Sequence, residues 1–580
     1  MQIGSLLDIP AEVIREEGRV MPDKESSPPS RRPLPLVLIR GFGGLGVEDE
    51  KRIAYQGFND GTVYPQKRGE NYIYEGLILR FMKSAWQYQD ATNVVGYYPT
   101  PMSEKVDLPA GLQDLAQDFF YAPAPPPAAA FYKVVIDPAM ALGIRDRQKT
   151  RDPRRTLWVF RYYDLNDRVF SLYGRALVRL IDFIQALAAE TEAGAERKPK
   201  VNIIAHSMGG LLVREAIQRT YPELGRRADD HINKVVTLGT PHQGISFQIL
   251  KGWIGIDAAD DLKHFNPEFQ ADPTNPAAYV NLGKHFDLER LLTVVGTNYR
   301  TYGVSVASAA NRLFSVSDEY GPNYNRSDGL VKQHHAQVPG SPRTFVHKCH
   351  GGFDSLVTSR EAFEVATRFF FGNVRVRLRL LDATVTRGKD FFGKSEFFFG
   401  VSIKPRRVDF ELFHQSPEGE NCYGPFSLEG PDGGVNFSES RDQLAFGWAD
   451  DRRLIWEGYL DTSQVLPDPS TGQRDMVFRL DFYVGERDLF GIGFSDNVVF
   501  RKQYYVRTLL DQPERELFLL TGERLSENGG PAGERMTPTA EGWEFTVKGT
   551  GFEGTFRVEL DTVPEEGHPV PVSPLGTGKA

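Results

Sequence analysis

A serine inside Ala205-His-Ser-Met-Gly209 carries the clearest chemistry in this 580-residue sequence. It follows the apolar run Val201-Asn-Ile-Ile204 and leads into Leu211-Leu-Val-Arg-Glu-Ala-Ile217, so Ser207 is expected at a strand-to-helix corner. Such a corner is tight enough to require small residues two before and two after the serine, and Ala205 and Gly209 satisfy that. The hydroxyl then stands proud of the sheet, and the helix amino terminus behind it favours developing negative charge. This is the setting of a nucleophile.

A nucleophilic serine needs a base, an acid that orients the base, and donors for an oxyanion. Asn325-Arg-Ser-Asp-Gly-Leu-Val331 puts Asp328 in a turn, and Phe345-Val-His-Lys-Cys-His-Gly-Gly-Phe353 puts His350 between a strand and a glycine loop. They are the candidate acid and base. Among the 11 histidines, His347 falls within the strand-like segment and His334 and His335 read as loop or rim residues. His206 reads as a packing residue at the elbow, and His242, in Thr240-Pro-His-Gln-Gly244, as a pocket wall. Asp328 has an alternative as the first residue of a plain Asp-Gly turn. The oxyanion donors are expected to be the backbone N–H groups of Met208 and of Phe42, the latter in the turn Arg40-Gly-Phe-Gly-Gly44. No Lys-Ser/Thr pair follows that glycine-dense turn and dinucleotide spacing is absent, which excludes a nucleotide loop.

The elements that position these residues form an α/β half. Residues 1–34 read as a poorly ordered lead-in, polar and Pro/Ser-rich towards Ser26-Ser-Pro-Pro-Ser30. A strand is expected at 35–39, then an insert at about 47–156 that includes Tyr121-Ala-Pro-Ala-Pro-Pro-Pro127 and is long enough to shape a pocket. Beyond it the pattern predicts strand 157–162, helix 174–190, strand 201–205, helix 208–220 and strands 233–238, 291–295 and 343–346. Repetition of this kind implies a mostly parallel sheet with helices on both faces. Thr358 and Glu361 offer a capping box for a closing helix, and the half is expected to span 35–372. Ile245, Ile249, Leu250, Trp253 and Ile254 share one helical face, which suits either a lid within about 245–285 or a core helix. After Gly372 the period shifts to two, at 374–380, 397–403, 477–482, 543–547 and 555–560. Residues 374–562 are therefore expected to form an antiparallel β-sandwich or barrel domain, the sandwich being preferred, with 563–580 as a tail and no internal repeat.

Composition narrows the partners. The chain is 40% hydrophobic, 12% aromatic and 25% charged with a net charge of −9, and it lacks a Lys/Arg block that could neutralise phosphates, which argues against nucleic acid. Cys349 and Cys422 are too few for a disulfide framework or a four-cysteine zinc site. No basic-then-apolar leader opens the sequence and no apolar stretch is long enough to span a bilayer, so the expected location is cytoplasmic, or exported without a cleavable signal peptide. Oligomeric state is not set by these features.

The Ala205-His-Ser-Met-Gly-Gly210 elbow together with Leu238-Gly-Thr-Pro-His-Gln-Gly244 resembles the α/β-hydrolase lipases and esterases. Bacterial triacylglycerol lipases and the inositol-deacylase and lecithin-acyltransferase branches are similar. The resemblance covers about residues 35–372, and the order Ser207, Asp328, His350 follows that fold's serine, acid, histidine order. Arg40 departs from it, standing where many such lipases carry histidine, as does the long insert. The resemblance implies ester hydrolysis through an acyl-enzyme, on lipid or other ester substrates, with no cofactor required. Alternatives are an amidase, thioesterase or small-ester hydrolase with the same triad, and an inactive binding protein on the same fold.

The second half resembles, over residues 381–398, the calcium- and lipid-binding sandwich of synaptotagmin and protein kinase C. That likeness makes Asp390, Glu396, Asp481 and Asp488 candidate calcium ligands and implies peripheral membrane contact. Glutamate at 396, Tyr483 at a usual acidic position and a later loop one residue short depart from the pattern.

Overall fold

The computed structural model describes residues 31–41, 74–92, 94–97, 134–136, 138–146, 152–160, 162, 170–192, 195–245, 266–301, 326–352, 354–386, 396–429, 433–436, 453–467, 472–487, 497–510, 515–521, 533–565 and 567–574. Most of the insert, Phe42, residues 246–265 of the lid region, Asp390 and Asp488 therefore lie outside the described residues. Glu396 is described by its backbone alone.

Seven strands build the first sheet: β1 (Leu36–Ile39), β2 (Gln89–Asp90), β3 (Thr156–Phe160), β4 (Val201–His206), β5 (Ile232–Leu238), β6 (Leu291–Gly296) and β7 (Arg343–Val346). Their order is β7-β6-β5-β4-β1-β3-β2, and every neighbouring pair is parallel. Strands covered on both faces read as continuous apolar runs, as β1 and β4 do with every residue buried. Alternation along β1 sends Val37 and Ile39 into the core containing Leu177, Ile181 and Ile184 of helix α2 (Phe170–Leu187). Leu36 and Leu38 point to the opposite layer, with Leu77 and Phe81 of α1 (Glu75–Lys83) and Ala362 and Phe369 of α4 (Arg360–Phe371). Helix α3 (Met208–Glu215) begins at the elbow. This is an α/β-hydrolase-like parallel sheet with helices on both faces.

Two local expectations change. The closing helix is capped by Ser359, whose Oγ accepts from Ala362 N–H at 3.1 Å, while the Thr358 hydroxyl is engaged by Ser355. The helix expected over 208–220 is α-helical only to Glu215 and widens to a π-helix over Ala216–Thr220. The buried Arg214 side chain, from the α-helical part just before it, bonds Gln218 Oε1 of the widened turn, the His242 carbonyl and Gln270 Oε1.

The second half is an antiparallel sandwich. Its strands include β8 (Val374–Val385), β9 (Glu396–Pro405), β10 (Tyr423–Glu429), β11 (Gly434–Asn436), β12 (Leu454–Leu460), β13 (Asp475–Arg487), β14 (Asn497–Leu509), β15 (Leu517–Leu520), β16 (Trp543–Gly549) and β17 (Phe552–Thr562). β8, β12, β16 and β17 pair on one side and β9, β13, β14 and β15 on the other, with β10 and β11 linking them. Phe399 and Phe482 of one side meet Phe556 of the other, with the Phe482 and Phe556 ring centres 4.7 Å apart. The ends of the chain as described are tied in as well. Arg31, at the close of the lead-in, is buried and donates to the Val563 carbonyl, and Val570–Pro571 of the tail pairs with β17.

The two halves share backbone. The Phe345 carbonyl of edge strand β7 accepts from His414 N–H at 2.9 Å, and Thr344 Oγ1 donates to the Leu412 carbonyl at 2.6 Å. On its other side the same segment exchanges both backbone bonds with Ile403 of β9, each 2.8 Å. Leu412–His414 thus covers the edge of the parallel sheet and belongs to the sandwich as well.

Candidate active site

Strand β4 delivers the elbow. It lies between β1 and β5, so Ser207 leaves the sheet near its middle, with its N–H on the Leu238 carbonyl at 2.9 Å. The serine backbone stands at φ 53°, ψ −125°, a conformation that costs a non-glycine residue about 1–3 kcal/mol. Its neighbours enforce the turn: a side chain on Gly209 would meet the Ile39 and Arg40 carbonyls at 2.8 and 2.7 Å, and Thr240 Oγ1 donates to the Ser207 carbonyl at 2.8 Å. As the first helical residue, Met208 has an N–H that no intrahelical carbonyl can accept.

The strands beyond β5 bring the acid and base. His350 follows β7 and Asp328 occupies a turn in which its Oδ1 accepts from Leu330 and Val331 N–H at 3.0 and 2.8 Å. Asp328 Oδ2 lies 2.8 Å from His350 Nδ1, and His350 Nε2 lies 2.9 Å from Ser207 Oγ. Since a carboxylate only accepts, Nδ1 carries the proton and Nε2 is free to take one from the serine. The His350 N–H also donates to the Asp328 carbonyl at 2.9 Å, which fixes the two segments in register. Asp328 and His350 are 1% and 3% exposed against 9% for Ser207, so the pair is shielded behind the nucleophile.

His206 does more than pack. Its Nε2 lies 2.8 Å from the His350 carbonyl, so Nε2 must donate, and its Nδ1 accepts from the Tyr74 hydroxyl at 2.6 Å. The Tyr74 oxygen in turn accepts from Gly41 N–H at 3.0 Å. One chain of bonds therefore joins the turn after β1, the insert, the elbow and the base-bearing loop. Burial, then the nearby His350 and Arg40, keep His206 well below its ordinary range, so the ring is neutral in the tautomer these bonds require. Burial likewise pushes the Tyr74 hydroxyl up to about 12, which keeps it a donor. Arg40 is buried with its Nε on the Gly41 carbonyl at 3.0 Å. Tyr74 carried no signal in the sequence, because it sits in the insert away from any motif.

The turn after β5 ties elbow to acid. His242 is not a pocket wall: it is 0% exposed, with Nε2 3.0 Å from Thr237 Oγ1, and burial followed by Arg214 holds it well below its ordinary range. Gln243 reaches the His334 and Gln337 carbonyls, while Gly239 N–H donates to the Val294 carbonyl. His347 stands outside the site, its Nδ1 3.1 Å from Thr297 Oγ1.

Of the candidate calcium ligands, the two described ones stand apart on strands β9 and β13. Register pairs Glu396 with Arg487 but Asp481 with Ser402, six residues along the same ladder, or about 20 Å at strand rise. Asp481 is also occupied by Arg479, 2.6 Å away. Among the described residues no group of three or more His, Cys, Asp or Glu side chains could hold a metal ion, and no helix is long and apolar enough to cross a membrane.

No curated protein matches the sequence. Among solved structures the chain is similar to the mature form of Bacillus licheniformis lipase BlEst2, at 19% identity and TM-score 0.24, with 34% of this chain and 74% of that one covered. It is also similar to phospholipase PlaB from Legionella pneumophila in complex with thio-NAD, at 11% identity and TM-score 0.25, with 66% and 91% covered. Scores this low bear on neither chemistry nor substrate. The PGAP1-like alpha/beta domain matches residues 128–253, a stretch that holds Ser207 and the turn after β5. The chain thus carries an α/β-hydrolase-like half whose elbow segment is similar to the PGAP1-like alpha/beta domain.

Proposed function

We propose that the chain is a serine carboxylester hydrolase acting on lipid-like esters. The observation that carries this reading is the line Asp328, His350, Ser207, joined at 2.8 and 2.9 Å with the serine at a positive-φ elbow. Ser207 Oγ attacks the ester carbonyl carbon while His350 Nε2 takes its proton. The imidazolium is stabilised by Asp328, and the oxyanion by Met208 N–H and, from the turn after β1, Phe42 N–H. Collapse expels the alcohol, which leaves with the proton from Nε2. Water then repeats the sequence on the acyl-enzyme and releases the acid. The lipid-like class is supported by the paired elbow and Gly-Thr-Pro-His motifs and by the PGAP1-like match. The sandwich is assigned to bringing the enzyme to aggregated substrate.

Fluorophosphonate labelling tests the chemistry. Wild type is expected to label and hydrolyse esters, and Ser207→Ala to abolish labelling and cut hydrolysis by at least ~10³-fold. Labelling that survives Ser207→Ala, or none in the wild type, rejects the mechanism. A panel of acyl chain lengths with phospholipid, thioester and amide substrates tests the class, and preference for acetyl over long-chain esters rejects the lipid-like assignment.

A further inference from the structure

The acid turn is held from outside the hydrolase half. Asp328 sits between Arg326 and Gln333, which close the turn through Gln333 N–H on the Arg326 carbonyl at 2.7 Å. Both ends are gripped by one segment of the sandwich. Arg326 N–H donates to Glu420 Oε2 at 3.1 Å, its Nη2 reaches the Cys422 carbonyl at 3.4 Å, and Gln333 Nε2 donates to the Gly419 carbonyl at 2.7 Å. Tyr299, just past β6, donates to Glu420 Oε1 at 3.3 Å. Arg326 and Glu420 stand at φ 37° and 49°, a sparsely populated region for either residue that the surroundings must maintain. All three of Arg326, Gln333 and Glu420 are buried. Their bonds set the height of the turn against β6, where a side chain on Gly296 would lie only 2.7 Å from Asp328 Cβ.

We propose that residues 411–422 of the sandwich are a positioning element for the catalytic acid, with Glu420 the positioning residue that acts through Arg326 on Asp328. This rests on the hydrolase reading above. Glu420 touches no reacting atom. Its carboxylate anchors the entry to the turn while the Gly419 carbonyl anchors the exit, so the Asp328 carboxylate meets His350 Nδ1 without searching. The β half is then part of the catalytic unit as well as the half assigned to docking on aggregated substrate.

The test uses the full chain and short-chain ester hydrolysis. Glu420→Ala is expected to lower kcat about 10–100-fold with KM changed less than threefold, because a displacement of order 1 Å in a catalytic group costs about that much. Glu420→Gln keeps an oxygen acceptor for Arg326 N–H and should restore most of kcat. In an Asp328→Asn background, Glu420→Ala should cost almost nothing further, since the group it positions is already gone. If Glu420→Ala does not fold, Glu420→Asp withdraws the carboxylate by one methylene while keeping its charge, and the same cycle applies. A folded Glu420→Ala or Glu420→Asp protein with wild-type kcat overturns the proposal, as does full additivity with Asp328→Asn. A wild type that neither labels nor hydrolyses esters overturns the hydrolase reading and this proposal with it, whereas the preceding outcomes overturn the positioning role alone.

Discussion

Alanine at Gly239 places a methyl group against the bond between the acid and the base. Gly239 stands at φ 57°, and a Cβ there would lie 2.8 Å from Asp328 Oδ2 and 3.1 Å from His350 Nδ1. Ordinary contact begins at 3.4 Å, so the carboxylate must give by about 0.6 Å and the imidazole by about 0.3 Å. Neither has room to retreat easily: Leu356 Cδ1 already stands 3.1 Å from the same Cβ, and Asp328 is pinned by two backbone donors. A 2.8 Å bond opened by even part of that leaves the ~2.7–2.9 Å range of charge-assisted bonds. A displacement of about half an ångström should lower kcat ~10–30-fold, or about 1.4–2 kcal/mol, by interpolation from the ~10²-fold cost of a full ångström. The left-handed alanine costs a further ~1–2 kcal/mol of stability. Steady-state kinetics on a short-chain nitrophenyl ester, with a thermal midpoint on the same sample, separates the two effects. A folded Gly239→Ala protein with kcat within twofold of wild type, or one changed only in KM, refutes the reasoning.

Other perturbations reach the same network from different sides. Tyr74→Phe removes the hydroxyl shared by Gly41 N–H and His206 Nδ1 and leaves buried groups unpaired. Stability should drop by about 2 kcal/mol by urea unfolding, with slower fluorophosphonate labelling, and no change in either quantity contradicts the relay. His206 and His242 are held neutral by burial, so between their folded and unfolded values the unfolded chain binds more protons. Their contribution is complete above the unfolded value of ~6.5 and is lost as pH falls below it, with a limiting slope of about 2.7 kcal/mol per pH unit for the two. Urea midpoints between pH 8 and 5 should fall accordingly, and a midpoint that rises on acidification rejects the assignment.

Local patterns made the parallel sheet readable. β4 and β5 are apolar runs bounded by turn residues, and the structure places them within a residue of where periodicity puts them. In the sandwich, period-two stretches marked β8, β9, β13, β16 and β17 but understated the lengths of β8 and β13, which run on past register shifts at Leu380/Asp382 and Val484/Gly485 that break the alternation. β14 was not distinguished, because Arg501-Lys-Gln503 interrupts its alternation. At the site, Ser207, Asp328 and His350 each had a short-range signal in a turn or glycine loop. Tyr74 and Glu420 had none: each bonds a partner 132 or 94 residues away, and such meetings are decided by tertiary packing alone. The cap moved from Thr358 to Ser359 for a local reason, competition from Ser355 for the threonine hydroxyl.

The segment shared by the two sheets also bears on how the protein emerges from the ribosome. Strand β7 ends at Val346, but the residues that cover its edge, Leu412–His414, are synthesised 66–68 positions later. At about 5–20 residues per second, that interval lasts roughly 3–14 s. During it the nascent hydrolase sheet presents an open edge, a template for pairing with other chains. The acid turn waits longer, until Gly419 and Glu420 have cleared the exit tunnel. If residues 411–422 position the acid as proposed, catalytic competence is acquired late in translation, after the edge has been sealed.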